Sequence, residues 1–406
     1  MALSWAWLAL LLGAVGAGAA LVALLIAPPR YEPPAFAGAA GMVAMSGWGL
    51  VLLSARHGSV GAAVLSGALG LAAFLGGYLL AASMLPLLAR SAPPAPLPRV
   101  EGDPARSPAY VLLSRAEPER YHPRWAAATV AEVSGSGSMF VPVALLPFLF
   151  AAQKARYRLA QGRSPARQTV LGLAQRSARA LGVPEVRVAW CEPPGSLAEA
   201  VHAAAQAGCS RIVVATLAVA EGHPEERAKM ALDALKPGEA GLEILYTQPM
   251  WSSERLAGLV AGRASSFADG SPEAGVTLVM EAQPPAWEGA HEEFDRQEAA
   301  FAGRVRTLIA EGGVPGERIR TAWADWRTPD VTETVRHLAA LGCERVAVVP
   351  AGFPTETLVT MLDLARGAEL ARTEAAVQLL PPWGNDPAVA EELVSRMREA
   401  ASGRSE

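Results

Sequence analysis

At 406 residues the chain has room for two or three domains, and its charge is spread unevenly along them. Residues 1–90 carry only Arg30, Glu32, Arg56 and Arg90, and the other 70 charged residues follow, so the first part suits lipid and the second water. That second part holds 38 acidic against 32 basic groups, which removes the electrostatic footprint a nucleic-acid partner needs.

Trp5 to Ile26 is an unbroken apolar run, long enough at ~1.5 Å per residue to cross a ~30 Å hydrocarbon layer. Ala17-Gly-Ala19 resembles a signal-peptidase site. There is no basic segment before the run, however, and two more apolar runs follow, so it reads as a retained anchor. Phe36 to Leu53 and Ala62 to Leu88 supply the second and third spans, giving an anchor over residues 1–90. Gly67, Gly70, Gly76 and Gly77 are the small residues that let such helices approach closely. With three spans, Arg30 and the group Arg90, Arg99 and Arg106 fall on one side and Arg56 on the other, which predicts cytoplasmic soluble lobes.

Residues 91–109 form a Pro-rich, semi-rigid linker. Tyr110 to Leu113 reads as a buried strand opening an α/β lobe over 110–265. Met139 to Ala152 is apolar but short for a span and broken by Pro142 and Pro147, so two readings stand: a core helix, or a greasy lip at the cleft mouth or on the membrane surface. Arg167 to Leu181 is a helix ended at Gly182, Val186 to Trp190 a strand, Ser196 to Ala207 a helix and Ile212 to Ala218 a strand. Gly262 to Pro272 is a polar, Gly/Ser-rich seam, and a second lobe, 270–402, repeats the plan. It has strands at Val276–Met280, Ile319–Trp323 and Val346–Val349, and helices at Glu292–Glu311, Val331–Leu341, Thr357–Arg366 and Pro387–Ala400. Such alternation means parallel sheets, with ligands at the carboxyl ends of the strands.

The two lobes share a pattern. Ala207-Gly-Cys-Ser-Arg-Ile-Val-Val answers Leu341-Gly-Cys-Glu-Arg-Val-Ala-Val, the cysteines lying 134 positions apart. Upstream, Gly182-Val-Pro and a strand ending in Trp190 answer Gly313-Val-Pro and a strand ending in Trp323. A repeat this long reads as a duplicated α/β lobe, whose two copies make one cleft. Cys191, Cys209 and Cys343 form no CxxC pair, which argues against zinc or iron–sulfur sites and for small buried thiols in a reducing compartment.

Four local matches carry a family resemblance: Tyr110 to Pro118, Gly162-Arg-Ser-Pro165, Ser196 to Ala200, and Ala351 to Asp363 with its Gly-Phe-Pro turn. In order and spacing they make residues 110–400 resemble the class II chelatases, ferrochelatase and the sirohydrochlorin cobaltochelatases. The resemblance implies two lobes clasping a porphyrin- or haem-type tetrapyrrole, Fe(II) as the metal inserted, and a role in haem biosynthesis. It also implies a proton-accepting His and a Glu, because two pyrrole protons must leave as the metal enters. The sequence departs here, since the His position holds Ala282, or Gln283 if shifted by one, and the Glu position holds Val359.

In the first lobe Leu217 to Glu226 is similar to a cobaltochelatase strand end closing in Gly-x-His, which makes His223 a candidate metal ligand. The usual His after the first strand is absent, with Arg115-Ala-Glu117 there and His122 five residues on, so Glu117 and His122 complete a candidate trio. A Gly-His-Pro turn opening an acidic helix is also ordinary capping. Trp190, Trp323, Phe353 and Arg115 are the candidate tetrapyrrole contacts, the tryptophans doubling as repeat-related core residues; Arg115, Arg124 and Arg327 suit propionates. Glu292, Glu293, Asp295 and Glu298 read as a solvated helix start. Two functions follow as expectations: a membrane-tethered tetrapyrrole protein that inserts Fe(II), or a catalytically silent relative serving as a structural or interaction subunit of a membrane complex. Lipid, tetrapyrrole and other complex subunits are the expected partners.

Overall fold

The computed structural model describes residues 2–57, 59–90, 94–100, 108–135, 137, 139–193, 195–269, 271, 273–288 and 292–403. Much of the expected linker, residues 91–93 and 101–107 with Arg106, lies outside them, as do Gly58 and Pro272. The chain forms two compact units, Met1–Ser91 with Arg120–Gly162, and Ala92–Glu119 with Arg163–Glu406. The segment after the first strand therefore groups with the apolar helices.

In the first unit, α1 (Ala2–Ile26), α2 (Glu32–His57) and α3 (Val60–Ser83) are each long and apolar enough to cross a membrane. Helix α1 packs against both others through glycines. A Cβ on Gly13 would lie 2.5 Å from the Ser46 nitrogen, and one on Gly77 2.1 Å from the Val15 carbonyl. Gly67 and Gly76 have open space instead, so only part of the small-residue pattern is contact surface. Trp5, Phe36, Trp48 and Leu80 stay exposed on the outside of the bundle. Helices α4 (Pro123–Gly135) and α5 (Leu146–Leu159) complete this unit.

In the second unit, β1 (Ala109–Ser114), α6 (Ala166–Leu181), β2 (Arg187–Trp190), α7 (Gly195–Gln206), β3 (Arg211–Thr216), α8 (His223–Asp233), β4 (Glu243–Tyr246) and α9 (Glu254–Ala268) build the first lobe. The second follows with β5 (Ala274–Met280), α10 (Pro285–Glu288), α11 (Glu292–Glu311), β6 (Ile319–Trp323), α12 (Val331–Ala340) and β7 (Arg345–Val349). A π-helical stretch (Val359–Leu364) then leads to α13 (Ala365–Leu370), β8 (Ala376–Leu379) and α14 (Pro387–Ala401). Both sheets are parallel, ordered β2-β1-β3-β4 and β6-β5-β7-β8, and β1 and β5 are buried along their whole length. Short connections and near-continuous apolar strands dictate this, since helices then cover both faces. The paired Gly-Cys sites share a local geometry: Gly208 and Gly342 have φ of 82° and 81°, and the next N–H, of Cys209 or Cys343, donates to Ala204 or Leu338 five residues back.

The lobes exchange their last helices. Helix α9 packs on α11, β5 and β7, and Arg345 donates to the Phe267 carbonyl at 3.1 Å. Helix α14 packs on α6 and β3, and Arg398 donates to the Ala180 carbonyl at 2.6 Å. One continuous core, from Leu112 and Val213 through Val260 and Phe301 to Leu393, runs through both lobes. The first part of the expected seam at 262–272 is helical, forming the end of α9. Leu256, Ala257, Val260, Ala261, Ala264 and Ala268 form a buried stripe at helical spacing, which outweighs the Gly and Ser between them.

Candidate functional site

The residues that follow the matching central strands meet. Arg115 comes straight after β1 and Glu281 straight after β5, and Arg115 Nη1 donates to Glu281 Oε2 at 2.6 Å. The same guanidinium forks onto Glu225, in the first turn of α8, through Nε and Nη2, and its Nη2 reaches the Ala220 carbonyl at 3.4 Å. Glu225 is wholly buried; its Oε2 accepts the Gly222 N–H at 3.1 Å and its Oε1 the Cys191 thiol at 3.8 Å. A third carboxyl comes from α11: Glu298, buried, accepts the Glu281 N–H at 3.2 Å through Oε1, while its Oε2 has no hydrogen-bond partner among the described residues. Phe294, one helical turn earlier, lies against the guanidinium with its ring centre 5.6 Å from Cζ.

Electrostatics fixes the protons. Burial opposes charge on Arg115, but the Glu225 and Glu281 carboxylates outweigh it and raise its pKa, so the guanidinium stays charged. Burial raises Glu281, Arg115 pulls it back down, and the net shift is upward. Burial, reinforced by the Glu281 charge, holds Glu298 well above the ordinary carboxylate range. The cluster thus sets one built-in cation against carboxyls of which Glu281 and Glu298 are pushed toward their neutral forms.

Beside it, Gln283 is buried; its Oε1 accepts the His223 backbone N–H at 3.2 Å, and its Nε2 has no hydrogen-bond partner among the described residues. The His223 ring stacks on Trp287 at 4.4 Å between centres, with the planes 26° apart. Gly222 lies close to this crossing: a Cβ there would lie 2.7 Å from Gln283 Oε1 and 3.0 Å from Arg115 Nη2, the ends of two long side chains.

The other expected residues are dispersed. Glu117 is buried, and its Oε1 accepts both Ser164 Oγ and the Leu358 N–H at 2.6 Å. It therefore ties the end of β1 to the segment before the π-helical stretch. His122 is exposed and belongs to the first unit. Among the described residues no group of three or more His, Cys, Asp or Glu side chains is placed to hold a metal ion. Ala282 lies half-buried between Glu281 and Gln283, and Val359 opens the π-helical stretch against the core around Val279 and Phe353. Phe353 is itself core. Trp190 and Trp323 end their strands half-buried, each under an arginine: Arg167 Cζ is 4.4 Å from the first ring and Arg327 Cζ 5.1 Å from the second.

Sequence reasoning missed the carboxylates. Glu298, expected on a solvated face, is 1% exposed. The signal was present: Phe294, Glu298, Phe301, Val305 and Ile309 recur every three or four residues, so Glu298 falls on the buried stripe of α11.

These strand tips belong to an α/β architecture of two parallel four-stranded sheets, and comparisons with known proteins bear on it. Residues 290–400 match the CbiX family model. SirB from Bacillus subtilis, solved with Fe3+, has 15% identity and a TM-score of 0.44, covering 73% of this chain and 97% of its own. CbiX, the terminal enzyme of siroheme biosynthesis in denitrifying bacteria, has 15% identity and a TM-score of 0.43, covering 72% and 99%. At these values neither likeness carries a residue role across. No curated protein matches the chain.

Proposed function

We propose that the chain is a membrane-anchored, chelatase-like protein that does not insert metal, and that its two lobes serve as a structural or interaction subunit at the cytoplasmic face of a membrane. One observation carries this reading: the Arg115 guanidinium is held by Glu225 and Glu281 at the meeting strand tips. Metal delivery needs groups that bind a divalent cation as substrate and release it, and groups that take up two pyrrole protons. A permanently charged guanidinium does neither, and it repels an incoming cation. Burial, reinforced by the Glu281 charge, raises the Glu298 pKa and so favours its neutral form. The three apolar helices support the anchoring.

The test is metal insertion by the full-length protein, with Fe(II) or Co(II) and either protoporphyrin or sirohydrochlorin. No product above the protein-free rate is expected; turnover sinks the reading.

A second reading has its own support, the CbiX match over 290–400. It holds that the lobes bind a porphyrin- or haem-type tetrapyrrole without metallating it, with the half-exposed edges of Trp190 and Trp323 as contacts. A Soret shift on micromolar protoporphyrin that is lost in Trp190→Ala would support it, and a flat titration removes it.

A further inference from the structure

We propose that α5, with the turn preceding it, is a fourth membrane element that enters the bilayer from the side where α1 ends and reaches most of the way through one leaflet. The proposal rests on the anchoring reading above.

Two anchor points set the depth. At its upper end Lys154 is buried, and its Nζ donates to the carbonyls of Leu24 at 2.9 Å and Ala27 at 3.3 Å and pairs with Glu32 at 3.0 Å. It caps the carboxyl end of α1, where a cation satisfies orphan carbonyls. At its lower end the Ala144 carbonyl accepts the Tyr78 hydroxyl at 2.6 Å. Tyr78 is level with Gly18, since a Cβ on Gly18 would lie 2.7 Å from the Tyr78 nitrogen. From Gly18 to Ile26 helix α1 rises about 12 Å at ~1.5 Å per residue, and the ten residues from Ala144 to Lys154 allow about 15 Å. The segment therefore runs alongside the last third of α1, beginning about 12 Å below its end, against a single leaflet of about 15 Å.

The side chains change along the same axis. At the deep end Phe140, Val143, Leu145 and Phe148 are 89%, 42%, 51% and 54% exposed. Lys154, Arg156 and Arg158 follow at the shallow end, with Arg158 joining Lys154 on Glu32. An exposed aromatic cluster below an exit of cations is the order in which a bilayer changes from hydrocarbon to headgroup. Non-helical backbone at that depth needs internal hydrogen bonds, and Tyr78 supplies one to Ala144.

The experiment places single nitroxide labels on full-length protein in lipid nanodiscs, in a Cys209→Ser background, because Cys191 and Cys343 are buried. Phe140→Cys and Phe148→Cys report the deep end, Ala155→Cys the shallow end, Leu69→Cys the middle of α3 and Glu311→Cys the soluble part. Labels at 140, 148 and 69 are expected to be relaxed more by oxygen than by an aqueous nickel chelate, with the order reversed at 155 and 311. If 69 reads lipid but 140 and 148 read water, the segment is an aqueous lip and the inference falls alone. If both relaxants are excluded from 140 and 148, protein covers them and the inference also falls. If 69 itself reads water, the anchoring reading fails and takes the inference with it.

Discussion

Arg115 is where charge, burial and position converge. Truncating it in Arg115→Ala leaves the fully buried Glu225 without its countercharge, and breaking a buried pair from one side costs about 3–5 kcal/mol. The expected result is a Tm drop in detergent-purified full-length protein, largely recovered when Arg115→Met is combined with Glu225→Gln. A loss below about 1 kcal/mol would mean the pair behaves like a surface ion pair. Glu298 makes a pH prediction. Its folded pKa lies above the value of about 4.3 it has in the unfolded chain, so its stabilising contribution is present below that pH and is lost as pH rises through the folded value. Glu298→Gln keeps the acceptor for the Glu281 N–H and cannot ionise. It should match the wild type near pH 4.5 and gain about 1.4 kcal/mol for each pH unit between the two pKa values. A Tm difference that stays constant from pH 5 to 8 would show that Glu298 does not titrate in this range.

The helices and strands were unevenly legible. The long apolar runs, α6, α7, α11, α12 and α14 were readable because each carries a continuous periodic stripe and ordinary ends. Asp330 is an example: it opens α12 by accepting the Glu333 N–H at 2.7 Å while Glu333 caps back at 3.1 Å. The edge strands β4 and β8 escaped, being four residues each with no fully buried position to set them apart from the flanking loops. Helix α9 was hidden because its stripe is mostly alanine. Among the glycines the sequence showed composition but not role. Gly77→Val should destabilise the α1–α3 contact, since its Cβ would meet Val15 backbone at 2.1 Å, whereas Gly67→Val, in open space, should be near neutral. Thermal melts of the two variants in detergent check this, and equal melting temperatures would contradict the packing.

In the molecule as a whole, the paired strand orders, the exchanged helices α9 and α14 and the single core make the two lobes one body. That plan followed from the alternating pattern and the spaced Gly-Cys pairs. What the strand tips hold did not, because Arg115 meets Glu225 and Glu281 only across 110 and 166 residues of chain, and each charge alone looks like an ordinary surface one. The central claim is that a guanidinium fills the place where a divalent cation would be handed over. Co(II) equilibrium dialysis of the full-length protein, followed by addition of sirohydrochlorin, tests it most directly. No stoichiometric cobalt site and no metallated product are predicted; one bound cobalt per chain that passes into the macrocycle would contradict the account.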